Sequence, residues 1–230
     1  MSLTVAEKEI LTTTAPIANG RREVYYPETD GEPMGETDYH IKTIMMLHQI
    51  LELFFRDSTD VRIFTDIMFY YEEGNPQKVV APDVMFVRGV GQHLRRTYKV
   101  WEEKVPDVVF EISSRKTWKE DFQKKYLIYQ GLGIKEYYIF DPEYNYLKEE
   151  PFSAYHLKGE SLESVKIRKG RVFSPELGLE IVDTGETLRL FDVDKQIFVP
   201  TAQELGARNE ELGAENEELK KALASLKGDK

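Results

Sequence analysis

Two acidic residues interrupt apolar segments of this 230-residue chain. Glu111 lies within the sequence Val-Val-Phe-Glu-Ile at 108–112, and Asp83 follows a proline inside the apolar segment 79–87. An ionised carboxylate that leaves water costs on the order of several kcal/mol unless a cation or hydrogen-bond donors compensate it. Two acids on neighbouring strands, with a lysine held against them, can bind a hard divalent cation and a phosphodiester. The pattern therefore indicates a site for phosphodiester chemistry.

The lysine that completes this set is predicted to be Lys125, on a helix over residues 117–132. Thr117 and Glu120 have the spacing of a capping box, and Gly133 is typical of the left-handed residue that ends a helix. At 100° per residue, Lys125 falls in the middle of the apolar side of this helix. That side comprises Trp118, Phe122, Tyr129 and Leu132. The ammonium can therefore approach the strand acids, or its stem can pack on the aromatic rings while the charge reaches solvent.

The elements around these residues predict how they meet. A strand over 108–112, the helix over 117–132 and a strand over 136–140 make a right-handed crossover unit, which brings an inward-facing lysine towards the first strand. Upstream, Asp38 is predicted to cap a helix that runs to residue 56.

Further strands are predicted on both sides of this unit. Strands are expected at 61–64, 67–71 and 79–87, with a hairpin loop before the last. Short alternating segments after residue 142 indicate an antiparallel extension of the sheet.

The acids and the lysine also carry a family resemblance. Asp83, then Glu111 after 111 − 83 = 28 positions, then a lysine, resembles the PD-(D/E)xK pattern of restriction-endonuclease-like nucleases. That pattern has its lysine two residues after the glutamate, where this chain has Ser113. In the Uma-two family of endonucleases the lysine lies on the following helix, and residues 83–142 are similar to that family. The matching positions are Asp121, Lys125, Tyr129, Gly133 and the pair Asp141-Pro142.

The resemblance extends over residues 24–194 and implies both a fold and an activity. The implied fold is α+β: a restriction-endonuclease-like core whose mixed central sheet is flanked by helices. The implied activity is metal-dependent hydrolysis of phosphodiester bonds, most simply in DNA. Asp83, Glu111 and the backbone carbonyl of Ile112 would hold Mg²⁺, for which Mn²⁺ should substitute. Lys125 would orient the attacking water and stabilise developing negative charge.

Three further residues are weaker candidates. Asp121 precedes Lys125 by one helical turn, so it can support the site or simply pair with the ammonium. His40 can line the site or make a hydrogen bond at the start of its helix. Glu36, just before that helix, is a candidate for an acid behind the metal ligands.

Overall charge restricts how such a protein could bind nucleic acid. The formal net charge of −10 argues against a protein that coats nucleic acid, because nonspecific affinity comes from phosphate neutralisation by Lys and Arg. Positively charged residues would have to cluster locally, and two groups of them flank the candidate site in sequence. They are Arg88, Arg95, Arg96 and Lys99, and Arg115, Lys116, Lys119 and Lys124. The alternative is scattered, solvated surface charge.

The absence of cysteine leaves oxygen or imidazole as the ligands of any metal. It also agrees with a reducing, cytoplasmic setting. No apolar run approaches eighteen residues, so a membrane span is not expected.

The C-terminal segment has a heptad pattern. Leucines recur every seven residues, at Leu205, Leu212, Leu219 and Leu226, and Ala202, Asn209, Asn216 and Leu223 fill the other inner positions. Leucine at one position and asparagine at the other favours a parallel two-stranded coiled coil and hence a homodimer. Gly206 and Gly213 weaken the helix, so a single helix packed on its own domain is the alternative.

The predicted organisation is an N-terminal arm (1–22), a nuclease domain (23–200) and a coiled-coil helix (201–230). A dimeric nucleic-acid-binding or scaffold protein without catalytic activity is the rival interpretation of the whole chain.

Overall fold

The computed structural model describes residues 24–31 and 35–228. The arm predicted at 1–22 lies outside them. Helix α1 spans Asp38–Phe54, two residues short of the predicted end. The prediction that Asp38 caps it was wrong. Thr37 is the capping residue, because its extended backbone (φ −75°, ψ 155°) lets its hydroxyl accept the amide hydrogen of His40 at 3.3 Å.

A six-stranded mixed sheet forms the centre of the molecule. The strands are Val61–Phe64 (β1), Val84–Arg88 (β4), Val108–Ile112 (β6), Glu136–Phe140 (β7), Phe152–Lys158 (β8) and Ser161–Ser164 (β9), and they are neighbours in that order. The parallel pair is β6 with β7, and the other four neighbouring pairs are antiparallel. This arrangement confirms the predicted α+β class with a mixed central sheet.

Strand alternation divides the core between the two faces of this sheet. Val108, Phe110 and Ile112 pack on the face that carries α1. Val109, between them, packs on the opposite face, with Tyr129 of the crossover helix. Glu111 has the parity of Val109, so its carboxylate points towards that helix.

The segment 79–87 was predicted as one strand, and this was wrong. The chain forms β3 at Val79–Val80 and β4 at Val84–Arg88, with Pro82 between them. Because proline has no amide hydrogen to donate to a ladder, it separates the two strands. The break leaves Asp83 immediately before β4, where its carboxylate accepts the amide hydrogen of Ile112 at 2.6 Å.

Two smaller sheets cover the central one. Strands β3, β2 (Phe69–Tyr70) and β5 (Tyr98–Lys99) form a three-stranded sheet, so the predicted 67–71 strand is shorter and lies outside the central sheet. The antiparallel strands predicted after residue 142 belong to two different sheets. Strands β8 and β9 extend the central sheet, and a separate four-stranded antiparallel sheet follows. Its strands are Arg171–Ser174 (β10), Leu179–Asp183 (β11), Leu188–Asp192 (β12) and Ile197–Phe198 (β13).

The crossover helix α2 has three parts: Trp118–Glu120, a π-helical turn at Asp121–Lys125, and Tyr126–Leu132. Gly133 ends it with φ 76°, as predicted. The predicted capping box was wrong, because Thr117 has a helical backbone and its hydroxyl accepts the amide hydrogen of Ser114 instead.

The last helix, α3, spans Ala202–Gly228. Its first turn has a capping box that the heptad analysis did not identify. Glu204 accepts from the Thr201 amide at 2.7 Å, and Thr201 accepts from the Glu204 amide at 3.2 Å. Within residues 24–31 and 35–228, no helix is both long and apolar enough to cross a membrane.

Candidate active site

Glu111 is completely buried in β6, and two donors from α2 contact its carboxylate. The Lys125 ammonium lies 2.6 Å from one carboxylate oxygen, and the Tyr129 hydroxyl donates to the other at 2.5 Å. Lys125 and Tyr129 are one turn apart, so α2 presents both to the same strand residue. The strand acid and the helix lysine therefore meet, as the sequence pattern required.

A second carboxylate holds the same ammonium from within the helix. Asp121 is 1% exposed, and one of its oxygens lies 3.3 Å from the Lys125 nitrogen. Its other oxygen accepts from the Ser113 hydroxyl at 2.8 Å. Ser113 occupies the position where the PD-(D/E)xK pattern has lysine. Here its hydroxyl orients the acid that contacts the displaced lysine.

Each oxygen of the Asp83 carboxylate has a polar neighbour. One oxygen accepts from the Ile112 amide, and the other lies 3.3 Å from Nε2 of His40. The second imidazole nitrogen of His40 lies 3.8 Å from Glu36. The three weaker candidates thus lie around the same acids as Lys125, and His40 is a direct neighbour of Asp83.

One cavity opens onto these residues. It has a volume of about 580 Å³, and both Asp83 and Lys125 line it. Asp66 also lines it and was not predicted from the sequence. This residue has a left-handed backbone (φ 48°), and its amide donates to the Pro82 carbonyl at 3.1 Å. The Thr-Asp sequence at 65–66, directly after an apolar strand, was the available signal for a turn residue at the sheet edge.

Burial and neighbouring charges both shift the pKa values in this cluster. Burial raises the pKa of Glu111 well above its ordinary range, although Lys125 acts in the opposite direction. Burial also raises the pKa of Asp121, and Lys125 and Ser113 oppose this. Burial lowers the pKa of Lys125, but the charges of Glu111, Asp121 and Asp83 outweigh burial, so its pKa is raised and the ammonium stays charged.

The pKa values of two further side chains beside these acids are also raised. Burial and then the charge of Asp83 raise the pKa of Asp66. Burial lowers the pKa of His40, but its contact with Asp83 and the charges nearby outweigh this, so the pKa is raised.

The chemistry of these donors fits a hard divalent cation. Several carboxylates share one ammonium, and burial, followed by repulsion from neighbouring carboxylates, raises the pKa of Glu111 and Asp121; a bound cation would offset both effects. The side chains are not pre-arranged around an ion. Among the described residues, no three His, Asp or Glu side chains have the geometry of a metal site. Both oxygens of Glu111 contact protein donors instead.

The basic residues that could bind phosphate fall into two groups: some contact acidic or phenylalanine side chains, and others are exposed without a salt bridge in the part of the chain that the structure describes. Arg95, Arg96, Lys99 and Lys124 form salt bridges with Glu103, Glu28, Glu102 and Glu120, respectively. The Arg88 guanidinium lies over the rings of Phe55 and Phe86. Arg115, Lys116 and Lys119 are exposed and form no salt bridge within the described ranges, and the Lys119 ammonium lies over the ring of Trp118. These exposed cations therefore flank Thr117, which lines the cavity, in sequence.

Comparisons with known proteins identify the family of this chain. No curated protein matches the chain. A solved structure described as "a putative nuclease belonging to DUF820" from Anabaena variabilis ATCC 29413 is similar over 76% of this chain and 91% of its own, at 15% identity and a TM-score of 0.49. The family model Uma2, described as "Putative restriction endonuclease", matches residues 22–187. Since this match covers well over half of the sequence, the chain belongs to the Uma2 family of nucleases.

Proposed function

We propose that this chain is a Mg²⁺-dependent endonuclease that hydrolyses phosphodiester bonds in DNA, with Mn²⁺ able to replace Mg²⁺. The observation that carries the proposal is that Asp83 and Lys125 line one cavity while Lys125 directly contacts Glu111. The proposal includes a cytoplasmic location.

Asp83, Glu111 and the Ile112 carbonyl would hold the metal. Bound Mg²⁺ supplies a Lewis acid that activates water and offsets charge on phosphorus. Lys125 orients the attacking water and stabilises the negative charge that develops as the P–O bond breaks. Asp121 keeps the ammonium in place, and His40 does the same for Asp83.

The test is nicking of supercoiled plasmid with Mg²⁺ or Mn²⁺. Asp83→Ala and Lys125→Ala should each lose at least about a hundredfold in rate, on the scale expected when one group that stabilises the transition state is removed. Lys124→Ala is the matched control, because Lys124 is the neighbouring helix residue and pairs with Glu120 on the exposed side. Equal cleavage by all four proteins would mean contamination, and the proposal would fail.

One observation favours the rival function, a nucleic-acid-binding or scaffold protein without catalysis. Lys125 and Tyr129 take up both oxygens of Glu111, so a metal can bind this carboxylate only if one donor leaves. A chain that shifts DNA in a gel but cleaves none under any metal condition would support this rival.

We also propose that residues 201–230 form a parallel homodimeric coiled coil beyond a nuclease domain at 23–200. Leu212, Leu219 and Leu223 are 39%, 56% and 56% exposed, so the heptad seam of α3 lacks a partner along that stretch of the chain. In a parallel pair, Glu215 at one heptad edge faces Lys220 of the second copy five positions on, which gives an attractive interchain pair.

Molecular mass measured by sedimentation tests the coiled coil. Leu212→Ala combined with Leu219→Ala should give a monomer at concentrations where the unchanged chain is a dimer. Glu218→Ala, outside the seam, should leave the mass unchanged. A monomeric unchanged chain at high concentration would contradict the dimer and support a single exposed helix.

A further inference from the structure

The cavity that contains Asp83 and Lys125 has one apolar wall, which consists of Ile41, Ile44 and Met45 on α1. Ile41 is 47% exposed and Met45 is 55% exposed, and the two lie one helical turn apart. Large apolar side chains that stay in contact with water beside a candidate site indicate a ligand with an apolar surface of its own.

Acidic residues line much of the rest of the cavity, and the exposed cations closest to its lining in sequence are at the start of α2. Glu36 and Asp66 line the cavity on its acidic side, where a phosphate would be repelled. Thr117 lines another part of the rim, at the start of α2. The exposed cations Arg115, Lys116 and Lys119, which form no salt bridge within the described ranges, surround that residue in sequence. A phosphate backbone is therefore attracted along the start of α2 and away from the acidic side.

We propose that this cavity takes a nucleotide from an unpaired strand. Its base would lie against the apolar wall, its phosphate would face Lys125, and neighbouring phosphates would lie beside Arg115, Lys116 and Lys119. The inference rests on the proposed nuclease function and names its substrate class as single-stranded or locally unpaired nucleic acid.

The physical reason is the accessibility of base faces. In a duplex each base is stacked and paired, so a base reaches a side wall only after it leaves the stack, at a cost of a few kcal/mol. In a single strand the faces are available, and stacking against side chains requires no particular base. The volume of about 580 Å³ lies inside the range of roughly 300–1,000 Å³ that is typical of pockets for small molecules, which suits one nucleotide.

Binding measured without turnover tests this inference. The anisotropy of a labelled single strand and of the duplex with the same sequence would be recorded with the full chain, using Ca²⁺ in place of Mg²⁺ to slow hydrolysis. We expect the single strand to bind about tenfold more tightly. Ile41→Ser combined with Met45→Ser should weaken single-strand binding about tenfold, the scale of one lost base contact, and duplex binding less than about twofold.

Tyr39→Ser is the matched control, because Tyr39 is 63% exposed on the same helix and does not line the cavity. Thermal unfolding of each variant separates lost contacts from lost folding. Equal weakening for both substrates, tighter duplex binding, or no binding of either would overturn the inference. Since no cleavage is measured, a result against the apolar wall leaves the nuclease proposal standing, and an inactive enzyme can still show the single-strand preference.

Discussion

The Lys125 ammonium lies 2.6 Å from the Glu111 carboxylate, with the lysine side chain 13% exposed and the glutamate side chain fully buried. Breaking a buried pair by removing one partner is expensive, because the other charge is left uncompensated. In the proposed mechanism the same lysine acts on the phosphate, so stability and the proposed activity both depend on this pair.

Lys125→Met should lower the free energy of unfolding by about 3–5 kcal/mol at neutral pH, because Glu111 and Asp121 lose their common cation. The double variant Lys125→Met/Glu111→Gln should recover much of this loss without recovering nicking activity. Urea denaturation of the unchanged chain, the two single variants and the double variant gives the coupling energy. Simple additivity of the two single effects would show that the pair is not coupled in solution.

Ser113→Ala should reduce nicking and lower stability by about 1–3 kcal/mol, since a buried carboxylate oxygen of Asp121 loses its donor. Ser113→Thr keeps the hydroxyl and should retain more of both properties than Ser113→Ala. Parallel nicking rates and chemical denaturation check this. If Ser113→Ala behaved as the unchanged protein, the hydroxyl would have no role in orienting Asp121.

Tyr129→Phe removes one of the two donors that contact Glu111. Without divalent metal, we expect the free energy of unfolding to fall by about 1–3 kcal/mol. With Mg²⁺ the loss should shrink, because the freed oxygen becomes available to the ion. Thermal shifts with and without Mg²⁺, at matched ionic strength, measure this difference, and Tyr126→Phe, whose hydroxyl donates to the Leu162 carbonyl instead, is the control. A loss that does not depend on metal would argue against Glu111 as a ligand.

His40 should make stability depend on pH. Its folded pKa is raised above the ordinary value of about 6.5, so the folded state binds the proton more tightly than the unfolded state does. The resulting stabilisation is fully present below about pH 6.5 and is lost as the pH rises through the folded pKa. The stability difference between the unchanged chain and His40→Gln should therefore be larger at pH 6 than at pH 8.5. Urea titrations at both pH values test this, and a difference that grows with pH would contradict the sign.

The contact between Glu111 and Lys125 could be predicted from residue types and their spacing. Glu111 inside an apolar strand requires a partner, and Lys125 on the apolar side of the next helix is a partner within reach of a crossover unit. The heptads of 201–230 and the αL stop at Gly133 follow equally from local patterns, because they depend on residues close together in the chain.

Other features were decided by tertiary structure. The break at Pro82 assigns β3 and β4 to different sheets, which depends on strands far apart in sequence. Asp66 reaches the cavity through a left-handed turn next to Pro82, and the Tyr129 hydroxyl finds Glu111 because helix and strand pack together. Sequence determined which groups need partners. Only packing, which brings distant segments within hydrogen-bond distance, decided which partners they obtain.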